Sequence, residues 1–245
     1  MHDIPIKTMR ITLRAMMESL FDAFFPEYSP NPYEHSVNEA VKALSSLCGP
    51  EKAALFRERI PMLADLLAQD VEAIGGNDPA ASDTQEIVYC YPAVTALVHY
   101  RVAHELDGLG VGVIPRMLTE YAHSSTGIDI HPQARIGHHF AIDHGTGVVI
   151  GQTAVIGNRV TLYQGVTLGA KNFKYDETGR PRNIPRHPVI EDNVTVYSNA
   201  SLLGRITVGE GSVIGGNVWL THSVPPHSRI LQGRSQEEFL DGAGI

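Results

Sequence analysis

With 245 residues, 43% of them hydrophobic, a formal charge of −8 and a pI near 5.8, the chain is sized for one large domain or two modest ones. The acidic balance argues against a nucleic-acid binder, which needs a basic footprint. No run approaches the ~20 apolar residues of a membrane span. The start MHDIPIKTMRITLRAMMESLFDAFF mixes charges throughout and is no secretory signal, so the cytoplasm is the expected location.

In chain order, residues 1–122 read as helical. Met9, Leu13, Met16, Met17, Leu20 and Phe24 form an apolar stripe at three- and four-residue spacing that ends at Pro26. Val37, Val41, Leu44 and Leu47 form a second, closed by Gly49-Pro50. A third spans Ala53 to Ile74, kinked or divided at Pro61 and stopped by Gly75-Gly76. A fourth spans Pro79 to Glu105, broken near Pro92, and a short helix covers Ile114 to His123. The two cysteines, Cys48 and Cys90, have no CxxC spacing and read as buried thiols of a reducing compartment.

From Ile130 onward an aliphatic residue returns every sixth position. The first run is Ile130, Ile136, Ile142; the register then slips by two and resumes as Ile150, Ile156, Leu162, Leu168. After an irregular segment it returns as Ile190, Val196, Leu202, Val208, Ile214, Leu220. This period fits neither a helix nor an alternating strand; it is the signature of a parallel β-helix in which each hexapeptide gives one short strand and one turn. The β-helix is expected from Gly127 to about Val224, ended by Pro225-Pro226, so that it accounts for residues 123–226. Residues 227–245 form a polar, acidic tail. Trp219 reads as a residue of core or subunit packing near the last coil.

The interruptions are the candidate chemistry. The slip falls in IDHGTGVVIG, where Asp143 and His144 sit among Gly145, Gly147 and Gly151. Asp129 precedes His144 by fifteen residues, which places the two on successive coils about 4.8 Å apart. A carboxylate there can hold an imidazole in one tautomer, and His is suited to take a proton from an alcohol near neutral pH. No Cys or Ser stands beside a base, so direct transfer without a covalent intermediate is expected. Residues 170–187 leave the period as a long loop carrying Lys171, Lys174, Arg180, Arg182 and Arg186 against Asp176 and Glu177, which suggests an anionic ligand.

GIDIHP, IDHGTGVVIGQTAVIG, YQGVTLGA and RHP together resemble the motifs of serine O-acetyltransferases, from residue 90 to 224, and of their longer-loop branch. The resemblance implies an α+β protein: an α-helical domain followed by a left-handed parallel β-helix of hexapeptide repeats. It implies transfer of the acetyl group of acetyl-CoA to the hydroxyl of L-serine, the first committed step of cysteine biosynthesis, with no metal. Under it, His144 is the general base, Asp129 orients His144, Asp143 binds the serine amino group, and Arg186 and His187 bind its carboxylate. Gly169, Ala170, Ser198 and Gly216 would line the CoA groove, with Lys171 as a further candidate for the CoA phosphates. A homotrimer or dimer of trimers is implied, and the C-terminal Ile245 resembles the peptide that enters O-acetylserine sulfhydrylase. The family also places an Asp before a Pro-Ala pair in its helical domain. At Pro92-Ala93 the preceding residue is Tyr91, so that contact is expected to be absent or replaced.

Two alternatives remain at this stage. A sugar or xenobiotic O-acetyltransferase shares the repeat but lacks the DIHP and DHGTG pairing. A γ-type carbonic anhydrase would use three His on zinc at a subunit interface, which suits the clustering of His131, His138, His139, His144 and His187 but leaves Asp129, Arg186-His187 and the Thr167-Leu168-Gly169 strip unexplained.

Overall fold

The computed structural model describes residues 4–233, so the Ile245 tail lies outside the described residues. Seven α-helices come first: α1 (Ile6–Phe24), α2 (Tyr33–Cys48), α3 (Pro50–Arg57), α4 (Ile60–Asn77), α5 (Thr84–Cys90), α6 (Pro92–Gly108) and α7 (Ile114–Thr126). Their breaks follow the backbone chemistry of the sequence. Gly49, at φ 93°, separates α2 from α3, and Pro61 and Pro92 stand in the first turns of α4 and α6, where a missing N–H costs nothing. The α1 stripe is buried throughout. Helix α6 is buried on nearly every side, from Ala93 to Leu106, and forms the centre of the helical part. Helix α7 runs to Thr126 and ends at Gly127 in the left-handed conformation (φ 72°), past the boundary expected at residue 122.

Fourteen short strands then wind into a parallel solenoid of three faces. The first face stacks β1 (Asp129–Ile130), β4 (Val149–Ile150), β7 (Thr167–Gly169), β10 (Ser201–Leu203) and β13 (Trp219–Leu220). The second stacks β2 (Arg135–Ile136), β5 (Val155–Ile156), β8 (Val189–Ile190) and β11 (Thr207–Val208). The third stacks β3 (Ala141–Asp143), β6 (Thr161–Tyr163), β9 (Thr195–Val196), β12 (Val213–Ile214) and β14 (Arg229–Ile230). The six-residue period becomes three inward columns: Ile130-Ile150-Leu168-Leu202-Leu220, Ile136-Ile156-Ile190-Val208 and Ile142-Leu162-Val196-Ile214-Ile230. Each side chain rests on the one a coil below, so every added coil buries the previous apolar end. Strand β14 carries the solenoid past Pro225-Pro226.

The burial expected of the cysteines fails, and of the two packing roles expected of Trp219 the core one does. Trp219 stands on the outer surface of the first face, 70% exposed, because its neighbour Leu220 takes the inward position of a two-residue strand. Cys90 is exposed and Cys48 half-buried, both as free thiols, since Cys90 ends α5 on its outer side.

The helical part is fastened to the first coil through buried polar groups. Asp70 on α4 and Arg101 on α6 pair at 2.9 Å with side chains 1% and 5% exposed. Arg101 also donates to the carbonyls of Ile136 (2.7 Å) and Gly137 (2.6 Å), and Asp70 accepts from Phe140 N–H at 2.9 Å. Tyr100 adds a bond from its hydroxyl to the Ala134 carbonyl at 2.7 Å. Charges and carbonyls withdrawn from water are thus mutually satisfied. No helix among the described residues is long and apolar enough to cross a membrane.

Candidate active site

The register slip is a bulge at the corner between the third and first faces. Asp143 stands opposite Tyr163 on the next coil, and the bond from Gly165 N–H to Thr146 O puts Gly147 opposite Gly165. Three residues, His144, Gly145 and Thr146, therefore face Gln164 alone. The excess pushes His144 outward: its φ is 55°, and its side chain is 74% exposed with Nε2 3.8 Å from Asp143 Oδ1. Gly145 (φ 88°) makes the bulge possible, since a Cβ there would lie 2.5 Å from Ile128 Cδ1 and 2.9 Å from Ile142 Cγ2.

Further coils extend the same edge. The register that pairs Leu162 with Val196 and Val196 with Ile214 stacks Gln164, Ser198 and Gly216 in line above His144. A Cβ on Gly216 would meet Ser198 O at 3.2 Å. Tyr163 and Tyr197 stack at 4.9 Å beside this line. Gln164 was not singled out from the sequence, although counting the YQGV segment against DHGTG would have found it. Its Oε1 is buried without a partner.

The helical part contributes a second carboxylate, and here the expectation at Tyr91 is corrected. The Asp that precedes a Pro-Ala pair is Asp78, in Asp78-Pro79-Ala80, thirteen residues upstream of the pair considered above. Tyr91 donates its hydroxyl to Asp78 Oδ2 at 2.5 Å, and Ala80 N–H donates to Oδ1 at 2.8 Å. These two donors, with a smaller contribution from His144, hold the Asp78 carboxyl below its usual range. The Tyr91 phenol is pushed up to about 12, chiefly by its bond to Asp78, with Asp143 among the nearby charges. Asp78, Asp143 and His144 thus form one cluster. It is fixed partly by Asn77, whose Nδ2 donates to Thr161 Oγ1 at 3.3 Å across the junction of the two parts.

Asp129 is not joined to His144 by an ion pair or hydrogen bond among the described residues. One full coil carries Asp129 to Val149, because the bulge lengthens the turn, so His144 falls short of the position directly above it. Asp129 lies instead under the base of the bulge, where Asp129 N–H donates to Val148 O at 2.9 Å and Gly147 N–H to Gly127 O at 2.8 Å.

Arg186 and His187 occupy a different edge, between the first and second faces, stacked on Gly151, Gln152 and Thr153. Thr153 Oγ1 accepts from the N–H groups of Arg186 (2.8 Å) and His187 (3.1 Å), and Thr153 N–H donates to His187 Nδ1 at 3.1 Å. With Nδ1 accepting, the neutral ring carries its proton on Nε2. Burial first, then the Arg186 charge, lowers the His187 pKa to about 4. Arg186 donates to Gln152 Oε1 at 2.7 Å and has no acidic partner among the described residues. Gly169, Ala170 and Lys171 share this edge: Gly204 N–H donates to Gly169 O at 2.9 Å, and a Cβ on Gly204 would lie 3.3 Å from Lys171 Cβ. The intervening excursion folds back at a Tyr175–Pro181 bridge.

The candidate residues thus fall into two groups on opposite edges of the first face. One group holds Asp78, Asp143, His144, Ser198 and Gly216; the other holds Gly169, Ala170, Lys171, Arg186 and His187. His138 and His139 face each other with Nδ1 atoms 2.7 Å apart, and no group of three metal-ligating side chains converges among the described residues.

The family model described as bacterial transferase hexapeptide (six repeats) matches residues 187–222. The plasmid serine acetyltransferase of Synechococcus elongatus is 53% identical over 209 residues, which cover 84% of this chain and 66% of that protein. The chain therefore spans just under two thirds of the length of that relative. The Bacillus subtilis serine acetyltransferase is 41% identical over 170 residues, 69% of this chain and 75% of its own length. Serine acetyltransferase isoform 3 of Entamoeba histolytica, solved in complex with cysteine, superposes with a TM-score of 0.82 at 33% identity, over 93% of this chain and 84% of that one. The order of seven helices and a five-coil solenoid, the motifs around His144 and this level of identity agree: the chain belongs to the serine acetyltransferase family.

Proposed function

We propose that the His144 edge transfers the acetyl group of acetyl-CoA to the hydroxyl of L-serine, giving O-acetylserine and CoA. The observation that carries this reading is the corner bulge, which projects one imidazole into solvent beside the Asp143 carboxylate, with the Asp78 carboxylate near enough to feel its charge. An α-amino acid offers an ammonium to the carboxylates and a hydroxyl to the imidazole, whereas a sugar has no cation to satisfy this pair.

His144 accepts the hydroxyl proton as the serine oxygen attacks the thioester carbonyl. The tetrahedral adduct collapses with cleavage of the C–S bond, and the imidazolium returns its proton to the departing sulfur. No group of the protein is acylated. Asp143 and Asp78 receive the substrate ammonium. Asp129 lies beneath the bulge, where its backbone N–H bonds the Val148 carbonyl and helps fix the corner that carries His144. Arg186 and the Nε2–H of His187 offer a charged fork and a neutral donor to a carboxylate.

These donors stand on the edge opposite His144, so a complete amino-acid site takes the His144 edge of one chain and the Arg186 edge of another. A ring of three identical chains satisfies this with one heterologous contact repeated. CoA would then run along the Gln164-Ser198-Gly216 line and the facing Gly169-Ala170 edge, its phosphates meeting Lys171. The test is release of free thiol from acetyl-CoA in the presence of L-serine, glucose or galactose. Release with L-serine and not with the sugars is expected; release with a sugar and none with L-serine overturns the reading.

A further inference from the structure

Asp78 and Tyr91 stand at the two ends of one loop. Helix α4 delivers Asp78, the chain turns through Pro79 and the seven-residue α5, and Tyr91 returns as the residue just before α6. The bond between them, 2.5 Å from Tyr91 Oη to Asp78 Oδ2, closes the loop on the side of His144. We propose that Tyr91 is a positioning residue for serine recognition: its hydroxyl holds the Asp78 carboxylate in the orientation that receives the substrate ammonium. The inference rests on the assignment of Asp78 to that ammonium made above.

Each Asp78 oxygen has one donor from its own loop, Ala80 N–H on Oδ1 and Tyr91 Oη on Oδ2. A carboxylate on a turn with only the Ala80 bond keeps its rotation about the Cβ–Cγ bond. The second donor, delivered from a distance of thirteen residues, removes that freedom. Two lone-pair positions remain on the oxygens, which an ammonium with three N–H groups can use. The phenol also keeps its proton at working pH, since its pKa stands at about 12, so it acts as a donor throughout. Tyr91 does not stand in for an acidic substrate contact; it orients one. Asp83, which caps α5 through Glu86 N–H at 2.8 Å, and Glu86, which accepts from Ser82 N–H at 2.9 Å, hold the far side of the loop without touching Asp78. The hydroxyl of Tyr91 can therefore be removed with the loop framework in place.

The test is a double-mutant cycle on the full-length enzyme with Tyr91→Phe, Asp78→Asn and the pair, reading KM for L-serine, KM for acetyl-CoA, kcat and Tm. For Tyr91→Phe, KM for L-serine should rise about tenfold, while kcat and KM for acetyl-CoA stay within about threefold of the parent enzyme. The pair should be no worse than Asp78→Asn alone, because a positioning group has nothing left to position. An unchanged serine KM in Tyr91→Phe, an equal rise in both KM values, or strictly additive effects would each overturn the proposal. If Asp78→Asn alone leaves the serine KM unchanged, the assignment of Asp78 to the ammonium fails first. Should Tyr91→Phe lower Tm markedly, Asp83→Ala supplies the comparison. It loosens the same loop without touching the clasp, and an equal rise in serine KM there would show loop stability, not orientation, to be the cause.

Discussion

Gln164 on one coil stands opposite His144 on the coil below, but it must also span Gly145 and Thr146, because Asp143 is in register with Tyr163 and Gly147 with Gly165. This three-against-one mismatch presents the imidazole outside an otherwise regular stack. A bulge of this kind leaves the inward columns intact on either side, with Ile142 on Leu162 and Ile150 on Leu168.

Gly145→Ala is therefore expected to damage activity through geometry. A Cβ would enter the space of Ile128 and Ile142, and φ of 88° is unfavourable for alanine. A destabilisation of about 1–3 kcal/mol is expected, together with a loss of kcat larger than that of Gly179→Ala, another glycine at positive φ but in the open excursion. Chemical denaturation and thiol-release rates measured on both variants check this.

His144→Ala should lower kcat by about 10²–10⁴-fold, the range for removal of a general base. Binding of CoA, read by calorimetry, should persist, since the edge that continues above His144 is untouched. Near-normal turnover in this variant would remove His144 from the mechanism.

The proposed division of the site between two chains has a direct consequence for mixtures. His144→Ala and Arg186→Ala variants should each be inactive alone. Refolded together in equal amounts, they should recover roughly a quarter of the sites, because one in four contacts joins two unaltered edges. Mixtures that remain as inactive as the separate variants would mean that both groups act within one chain.

His187 gives a pH signature. Its ring stays neutral in the folded protein down to about pH 4, while the unfolded chain takes up that proton near pH ~6.5. The unfolded state then binds more protons across this window, so the contribution of His187 to stability is lost as pH falls from about 6.5 to about 4. His187→Gln keeps an acceptor for Thr153 N–H and should flatten the dependence of unfolding free energy on pH in that window. An unchanged slope in urea titrations would contradict the assignment.

Arg101→Ala should be the most damaging of these changes to stability. It leaves Asp70 buried without its cationic partner and removes the donors to the Ile136 and Gly137 carbonyls. Breaking a buried pair on one side costs about 3–5 kcal/mol. Because α4 carries Asp78 toward the solenoid, the serine KM should rise in whatever fraction remains folded.

The solenoid was legible in the sequence because its contacts are local and repeated. Each hexapeptide meets only the coils above and below, so a period of six maps directly onto three stacked columns, and the slip after Ile142 and the excursion before Arg186 mark its interruptions. The motifs around Asp143, His144 and Arg186 were legible for the same reason. The helical part has no such ruler. Which Asp comes beside His144 depends on how α4 and α6 dock against the first coil, and that docking rests on the buried Asp70–Arg101 pair, residues with no local pattern linking them to each other or to the corner. The Asp78-Pro79-Ala80 segment can be picked out in the sequence, but tertiary structure alone decided that Asp78 comes near His144 with Tyr91 bonded to it, that Trp219 faces outward, and that His144 and Arg186 stand on opposite edges. The physical reason is common to all three: side-chain direction at a corner or a domain junction is set by non-local packing, while the periodicity of the chain reports only what points into the core.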